Sequence, residues 1–212
     1  MKASRIILFN LIALVILAAL VLGGYYYLYQ RWNYIATDDA RVWADLVPVS
    51  PAAPGRLSGW KGTVGQTFNQ GDTIGQIDGA GDAGRITAPI SGSIIQSNAT
   101  DGQIVSIGQP LATMADMKKL YILANIEETR IADVNVGADV DVTVDADPGA
   151  TIKGRVDQVG LAANSVFSLF PQQNTTGNYT RVVQRIPVRI SMTAYDQDIV
   201  PGMNATVRIH KS

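Results

Sequence analysis

The sequence predicts a mainly β protein behind one N-terminal transmembrane helix, and three observations carry this. Residues 6–29 are almost wholly apolar. A pattern of turn glycines and apolar residues occurs twice between 50 and 115. Strictly alternating segments fill the chain from 116 to its end. The expected organisation is an anchor at 1–32, a linker and entering strand at 33–49, a two-layer β-sandwich of two repeated halves at 50–115, and a small β-barrel at 116–212.

The apolar run comes first. At about 1.5 Å per residue, 6–29 would make about 36 Å of helix, enough for a bilayer core of about 30 Å. Lys2 and Arg5 precede it, and Tyr25, Tyr26, Tyr27, Tyr29 and Trp32 follow as an interfacial belt would. The positive flank places the N-terminus in the cytoplasm and the bulk outside the inner membrane. A cleaved signal peptide is the other reading of such a run. It is too long for a usual signal core, and no small-x-small site precedes the tyrosines.

Residues 33–49 read as a spacer ending in a strand. Pro48, Pro51 and Pro54 keep the stretch extended. The doubled pattern follows. Gly55, Gly65 and Gly71 recur as Gly92, Gly102 and Gly108, each 37 residues on (92 − 55, 102 − 65, 108 − 71). At the same offset Leu57 falls on Ile94, Phe68 on Val105, Ile74 on Leu111 and Ile77 on Met114. Matched turn glycines between matched apolar positions mark one supersecondary unit used twice. Neither copy can bury a core alone, so the two should pack face to face.

These residues resemble the two halves of a lipoyl/biotinyl-type domain, a barrel-sandwich hybrid. In carrier proteins of that kind a modified lysine sits on the hairpin between the halves. Here the junction reads Asp78-Gly79-Ala80-Gly81-Asp82-Ala83-Gly84, and no lysine occurs between Lys61 and Lys118. No cofactor is therefore expected. The Pro89-Ile90-Ser91-Gly92 run is similar to that of HlyD-type membrane fusion proteins, the periplasmic adaptors of export pumps. Most of these insert a long α-helical hairpin at the junction. Only eight residues separate Ile77 from Ile86 here, so the resemblance is to an adaptor without its hairpin.

The rest alternates. Leu120–Ile126 is a strand candidate, and Glu127–Asp133 a short helical turn with early acids. Val140, Val142 and Val144 share one face, as do Ile152, Gly154 and Val156. Ile186, Val188, Ile190 and Met192 alternate with Pro187, Arg189 and Ser191, and Pro187 suggests an edge or a strand start. Ala205, Val207 and Ile209 close the chain. Short alternating strands of this kind suggest a barrel. The run from Phe167 to Ile190 looks like that of the EmrA-like branch, whose members serve drug pumps of the major facilitator superfamily.

Candidate site residues are few. Phe167, Leu169 and Phe170 sit in a polar, turn-rich segment; they anchor a partner contact or cap the barrel. Asp38-Asp39 and Glu127-Glu128 read as solvated acids, and His210 as a solvated terminal residue without metal-type neighbours. With a net charge of −1, a nucleic-acid surface is not expected. Nothing in the pattern points to a catalytic centre.

The resemblance implies a non-enzymatic adaptor in the cell envelope for multidrug or small-molecule efflux. It implies docking on an inner-membrane transporter of the major facilitator or ABC type, and a homo-oligomer. Contact with an outer-membrane channel is left open by the missing hairpin. The alternative is a membrane-tethered lipoyl-like interaction module coupled to no pump.

Overall fold

The structure, a computed structural model, describes residues 2–167, 183–196 and 198–211; side chains at 2–10, 26–31 and 167 fall outside the description. It contains, among the described residues, one long helix and fourteen strands. Helix α1 covers Lys2–Asn33. Every residue from Leu11 to Tyr25 is exposed, so nothing in the fold packs against that stretch. Among the described residues no helix is long and apolar enough to cross a membrane.

Strand β1 (Tyr34–Trp43) follows α1 directly. The next eight are β2 (Leu46–Val49), β3 (Gly55–Ser58), β4 (Thr67–Phe68), β5 (Thr73–Ile77), β6 (Arg85–Thr87), β7 (Gly92–Ser97), β8 (Ile104–Val105) and β9 (Ala112–Ala115). The last five are β10 (Tyr121–Glu127), β11 (Asp139–Val144), β12 (Ile152–Val159), β13 (Arg185–Met192) and β14 (Asn204–His210).

The sandwich corrects the expectation of two separate halves packed face to face. One sheet runs β2-β9-β7-β4, and the other β6-β5-β3-β8. Adding 37 to β2, β3, β4 and β5 lands on β6, β7, β8 and β9, so the repeat begins one strand earlier than the glycines suggested. Each sheet takes its middle pair from one copy and its outer pair from the other. The halves interleave because each short middle pair would otherwise leave two open edges, and the partner copy supplies the missing ladders. The hydrogen bonds repeat with the sequence. Gly65 N donates to Ile94 O at 2.8 Å, and Gly102 N to Leu57 O at 2.7 Å. Gly71 N donates to Ala88 O at 2.9 Å, and Gly108 N to Pro51 O at 3.0 Å.

The matched apolar positions Leu57, Ile94, Phe68, Val105, Ile74, Leu111, Ile77 and Met114 all lie in one buried cluster. A further matched pair, Val49 and Ile86, joins them. Each large side chain buried this way contributes about 1.5–3 kcal/mol.

The barrel closes in the order β1-β10-β13-β12-β11-β14. Residues 34–43 are therefore a barrel strand and not a linker. The alternation that would have shown this is broken. Ile35 is buried on one phase, Ala40 and Val42 on the other, and the β1–β14 register shifts between Thr37 and Ala40. A bulge inserts one residue and flips the inward phase. Val142, Ile122, Ile190, Val207 and Ile209 fill the interior. Pro187 is not at an edge, since β13 pairs with both β10 and β12. Its carbonyl accepts from Gly160 N at 2.8 Å, just past the end of β12. The missing proline N–H faces the same side, where the ladder is ending. The acidic turn appears as a 3-10 helix at Glu128–Asp133.

Candidate functional site

Four places in the fold carry side chains that a partner or a reaction could use. The first is the junction between β5 and β6, where a carrier lysine or a helical hairpin would stand. It is a single 3-10 turn, Gly81–Gly84. Ser58 Oγ donates to Asp78 Oδ1 at 2.5 Å and holds its base. At Gly84 an added Cβ would lie 2.6 Å from the Ile77 carbonyl oxygen, so the turn is pressed onto the sheet. With no amine present, it cannot carry a lipoyl or biotinyl group.

The second is an open groove of about 1010 Å³ between sandwich and barrel, lined by Val64, Phe68, Ile94, Met117, Tyr195 and Val200 among others. Tyr195 pins its floor. Its hydroxyl accepts from Leu120 N at 2.8 Å and donates to Met117 O at 3.1 Å. This groove joins residues from β3–β4, β7, the β9–β10 link and the β13–β14 loop, so no local pattern could have shown it.

The third lies on β11, β12 and β14. Lys153 Nζ is 2.5 Å from Asp141 Oδ1, and His210 Nε2 is 3.2 Å from Asp141 Oδ2. The Lys153 hydrogen bond holds the Asp141 carboxyl below the usual carboxylate range; burial opposes this, and His210 assists. The same bond raises Lys153. The Tyr34 ring meets His210 edge-on, with centroids 4.8 Å apart. His210 is thus not simply solvated, because strand pairing sets it against Tyr34 and β11. On the facing side of the barrel, burial pushes the Tyr121 phenol up, and Asp45, whose carboxylate it hydrogen-bonds at 3.1 Å, adds to that. The Arg189 guanidinium sits 3.7 Å from the Tyr121 ring centre.

The fourth is the barrel end next to α1. Asp39 accepts from Asn125 Nδ2 at 3.1 Å and pairs with Arg185. Asn164 Nδ2 donates to Asn125 Oδ1 at 2.7 Å. Asp39 is therefore part of a network, unlike exposed Asp38, because the bulge turns it toward β10. The network joins the two ends of the segment that carries Phe167, Leu169 and Phe170. Of these, Phe167 ends a 3-10 turn at Asn164–Phe167. Its side chain, and the whole of Leu169 and Phe170, lie outside the described residues. Among the described residues no three His, Cys, Asp or Glu side chains group as a metal site.

The six singled-out glycines hold two roles. Gly65, Gly71, Gly102 and Gly108 have φ of 88°, 89°, 81° and 75°, a region that costs other residues about 1 kcal/mol or more. At Gly55 and Gly92 the reason is close approach: a Cβ would come 2.5 Å from Ile77 Cγ2 at the first and 2.4 Å from the Ala115 carbonyl oxygen at the second.

Comparison with known proteins agrees with this geometry. Residues 45–116 match the family described as "YhbJ, barrel-sandwich hybrid domain", and residues 119–210 match "AAEA-like beta-barrel domain". The chain is 42% identical over 209 residues to the "Putative efflux system component YhbJ" of Bacillus subtilis (strain 168), covering 99% of this chain and 94% of that one. This chain belongs to the HlyD-type membrane fusion adaptors. Within them it matches the EmrA-like branch. It is 36% identical over 131 residues to the "Multidrug export protein EmrA" of Escherichia coli (strain K12), spanning 59% of this adaptor but only 33% of that one. The fold is shared with ZneB from Cupriavidus metallidurans (TM-score 0.63, 18% identity, 85% and 99% of the two chains). It is shared also with the membrane fusion protein Spr0693 from Streptococcus pneumoniae R6 (TM-score 0.61, 14% identity, 84% and 99%). At the β5–β6 junction the described residues hold no α-helical hairpin, only the turn at Gly81–Gly84.

Proposed function

We propose that this protein is the non-enzymatic adaptor subunit of an efflux system, anchored by residues 6–29 in the cytoplasmic membrane with its β domains outside. The observation that carries the reading is an intact, unmodifiable lipoyl-like module joined to a closed barrel, in a chain alike over nearly its whole length to a putative efflux component. Exposure of the apolar side chains from Leu11 to Leu22 supports the anchor, because nothing in the described fold covers them and an apolar span in a bilayer faces outward in this way. The transporter it serves is of the major facilitator type, on the resemblance of the Phe167–Ile190 run, and Phe167, Leu169 and Phe170 anchor the contact. The pump's gradient supplies the work, and the adaptor supplies position.

Self-association completes the reading. The two repeats share a core but not a surface. Ile104 and Ile107 are exposed where the first copy has Thr67 and Gln70. An apolar edge on one copy and a groove beside the other make a heterologous contact, the kind that closes into a ring. The test is to solubilise membranes holding the full-length chain, capture it, and identify what co-purifies. Recovery of a transporter with an oligomeric adaptor is expected. A monomer recovered with no transporter defeats the reading. The missing hairpin favours one second reading, a tethered envelope module without a pump; an efflux phenotype unchanged by deletion of the chain would select it.

A further inference from the structure

The barrel end beside α1 has an unusual rim. β1 starts at Tyr34, immediately after the last helical residue, Asn33. No linker separates them, and the joint is tied. Lys211 N donates to Asn33 O at 2.9 Å, while Arg130 donates to the carbonyls of Ala36 at 3.3 Å and Tyr34 at 3.4 Å. Strand directions put the β10–β11 loop and the β12–β13 loop at this same end, since Ala40 pairs with Ala124 on descending β10 and Ala124 with Val188 on rising β13. On those loops stand Val136, Leu161 and Val166, which are 67%, 102% and 69% exposed. Each is a single aliphatic at or near a polar turn.

We infer that these three side chains form a lipid-seating foot, inserting into the outer-leaflet interface of the membrane that α1 spans. The inference rests on the anchor reading above and adds a second contact to it. The spacing is the first reason. Trp32 is two residues, or about 3 Å, from the first barrel strand, and an interfacial layer is about 5–7 Å deep. A barrel welded that close to an aromatic belt has its rim in the headgroups. The second reason is the pattern. Protein interfaces concentrate apolar area in a continuous central patch. Among the described residues the three aliphatics stand on separate turns, and paired charges lie on the same loops and strand ends: Lys211 with Asp133 at 2.7 Å, Arg155 with Asp139 at 3.5 Å, and Arg185 with Asp39. Isolated apolar tips suit a fluid interface, which fills in around each one. The third reason is that three of the described cations at this rim are paired with acids and Arg130 is held by backbone carbonyls, so the contact does not depend on anionic lipid.

The chain contains no cysteine, so single-cysteine labels report cleanly. The full-length protein would carry L17C, V136C, L161C or A83C, the last at the exposed junction turn, each labelled with an environment-sensitive nitrobenzoxadiazole dye, in phosphatidylcholine vesicles with and without doxyl-labelled lipid. Expected is quenching at 136 and 161 at least about twofold stronger than at 83, with deep quenching at 17, unchanged by salt. Quenching at 17 with 136 and 161 as open to aqueous iodide as 83 overturns the foot and leaves the anchor standing. Loss of quenching at 17 removes the anchor and the foot together. Shielding from iodide at 136 and 161 without doxyl quenching assigns the rim to a second copy and overturns the proposal. So does quenching that appears only with anionic lipid.

Discussion

Single residues in this adaptor are constrained by close approach and by paired charge. Gly92 is the sharper case. An added methyl would meet the Ala115 carbonyl oxygen at 2.4 Å, backbone against backbone with no rotamer to yield. Gly92→Ala is expected to cost about 2–3 kcal/mol, against about 1 kcal/mol for Gly65→Ala, which meets open space but a φ of 88°. Urea titration of both variants in detergent checks the order. Asp141 gives a pH effect of known sign. Its pKa is lowered in the folded state, chiefly by the Lys153 hydrogen bond. It therefore stabilises the fold above the unfolded carboxylate value of about 3.9, and that stability is lost as pH falls through and below it. Lys153 is raised by the same bond, so its contribution holds below the ordinary lysine value and is lost at alkaline pH. Asp141→Asn should lower the melting temperature at pH 7 and flatten its fall between about pH 5 and pH 2. An unchanged acid limb in the variant would assign that limb to other carboxylates.

Among elements, the junction turn and β1 are the informative ones. The turn at Gly81–Gly84 stands where the family resemblance implies a long insertion, and the sandwich closes around it without contribution from the turn's exposed side chains. A twelve-residue Gly-Ser insertion between Ala80 and Gly81 is expected to shift stability by less than about 1 kcal/mol, since loop closure costs only about 0.6 kcal/mol per doubling of length. A melting curve decides it; loss of folding would mean the short turn drives the pairing of β5 with β6. β1 was not legible as a barrel strand. Thr37-Asp38-Asp39 look like a polar spacer, and the bulge hides the inward phase of Ile35 from that of Ala40 and Val42. The strands β11, β13 and β14 were legible because their alternation runs unbroken on one face; β12 was legible as far as Val156, beyond which a bulge shifts its phase.

At the scale of the whole molecule, two domains meet at a groove pinned by one phenol. The Tyr195 hydroxyl bonds the Met117 carbonyl and the Leu120 N–H, in the link from sandwich to barrel. Tyr195→Phe removes both bonds and leaves the ring. Spin-label distances between sandwich and barrel should broaden while the melting temperature moves by only a few degrees; a distribution as narrow as that of the unaltered protein would show that packing alone sets the angle. Assembly is tested at the other flank. Ile104→Asp with Ile107→Asp should shift the adaptor toward monomer in sedimentation at equal stability. The aliphatics at both flanks carry no signal in the sequence: Ile104 opens the two-residue strand β8, and Ile107, Val136 and Leu161 stand in turns or bends. Nothing local distinguishes an apolar residue that caps a core from one that faces outward.

The sequence alone determined the apolar N-terminal segment, the twofold repeat with its turn glycines, the absence of a lysine and of room for a hairpin at the junction, and the inward faces of the later strands. All of these are periodic or positional, and period and position are written along the chain. Tertiary structure decided how the repeats share their strands, that the first strand closes the barrel, where Asp39 and His210 find partners, and which loops ring the foot of α1. Those depend on which backbone edges remain open once each short ladder has formed, a property of the assembled sheets that no single segment contains.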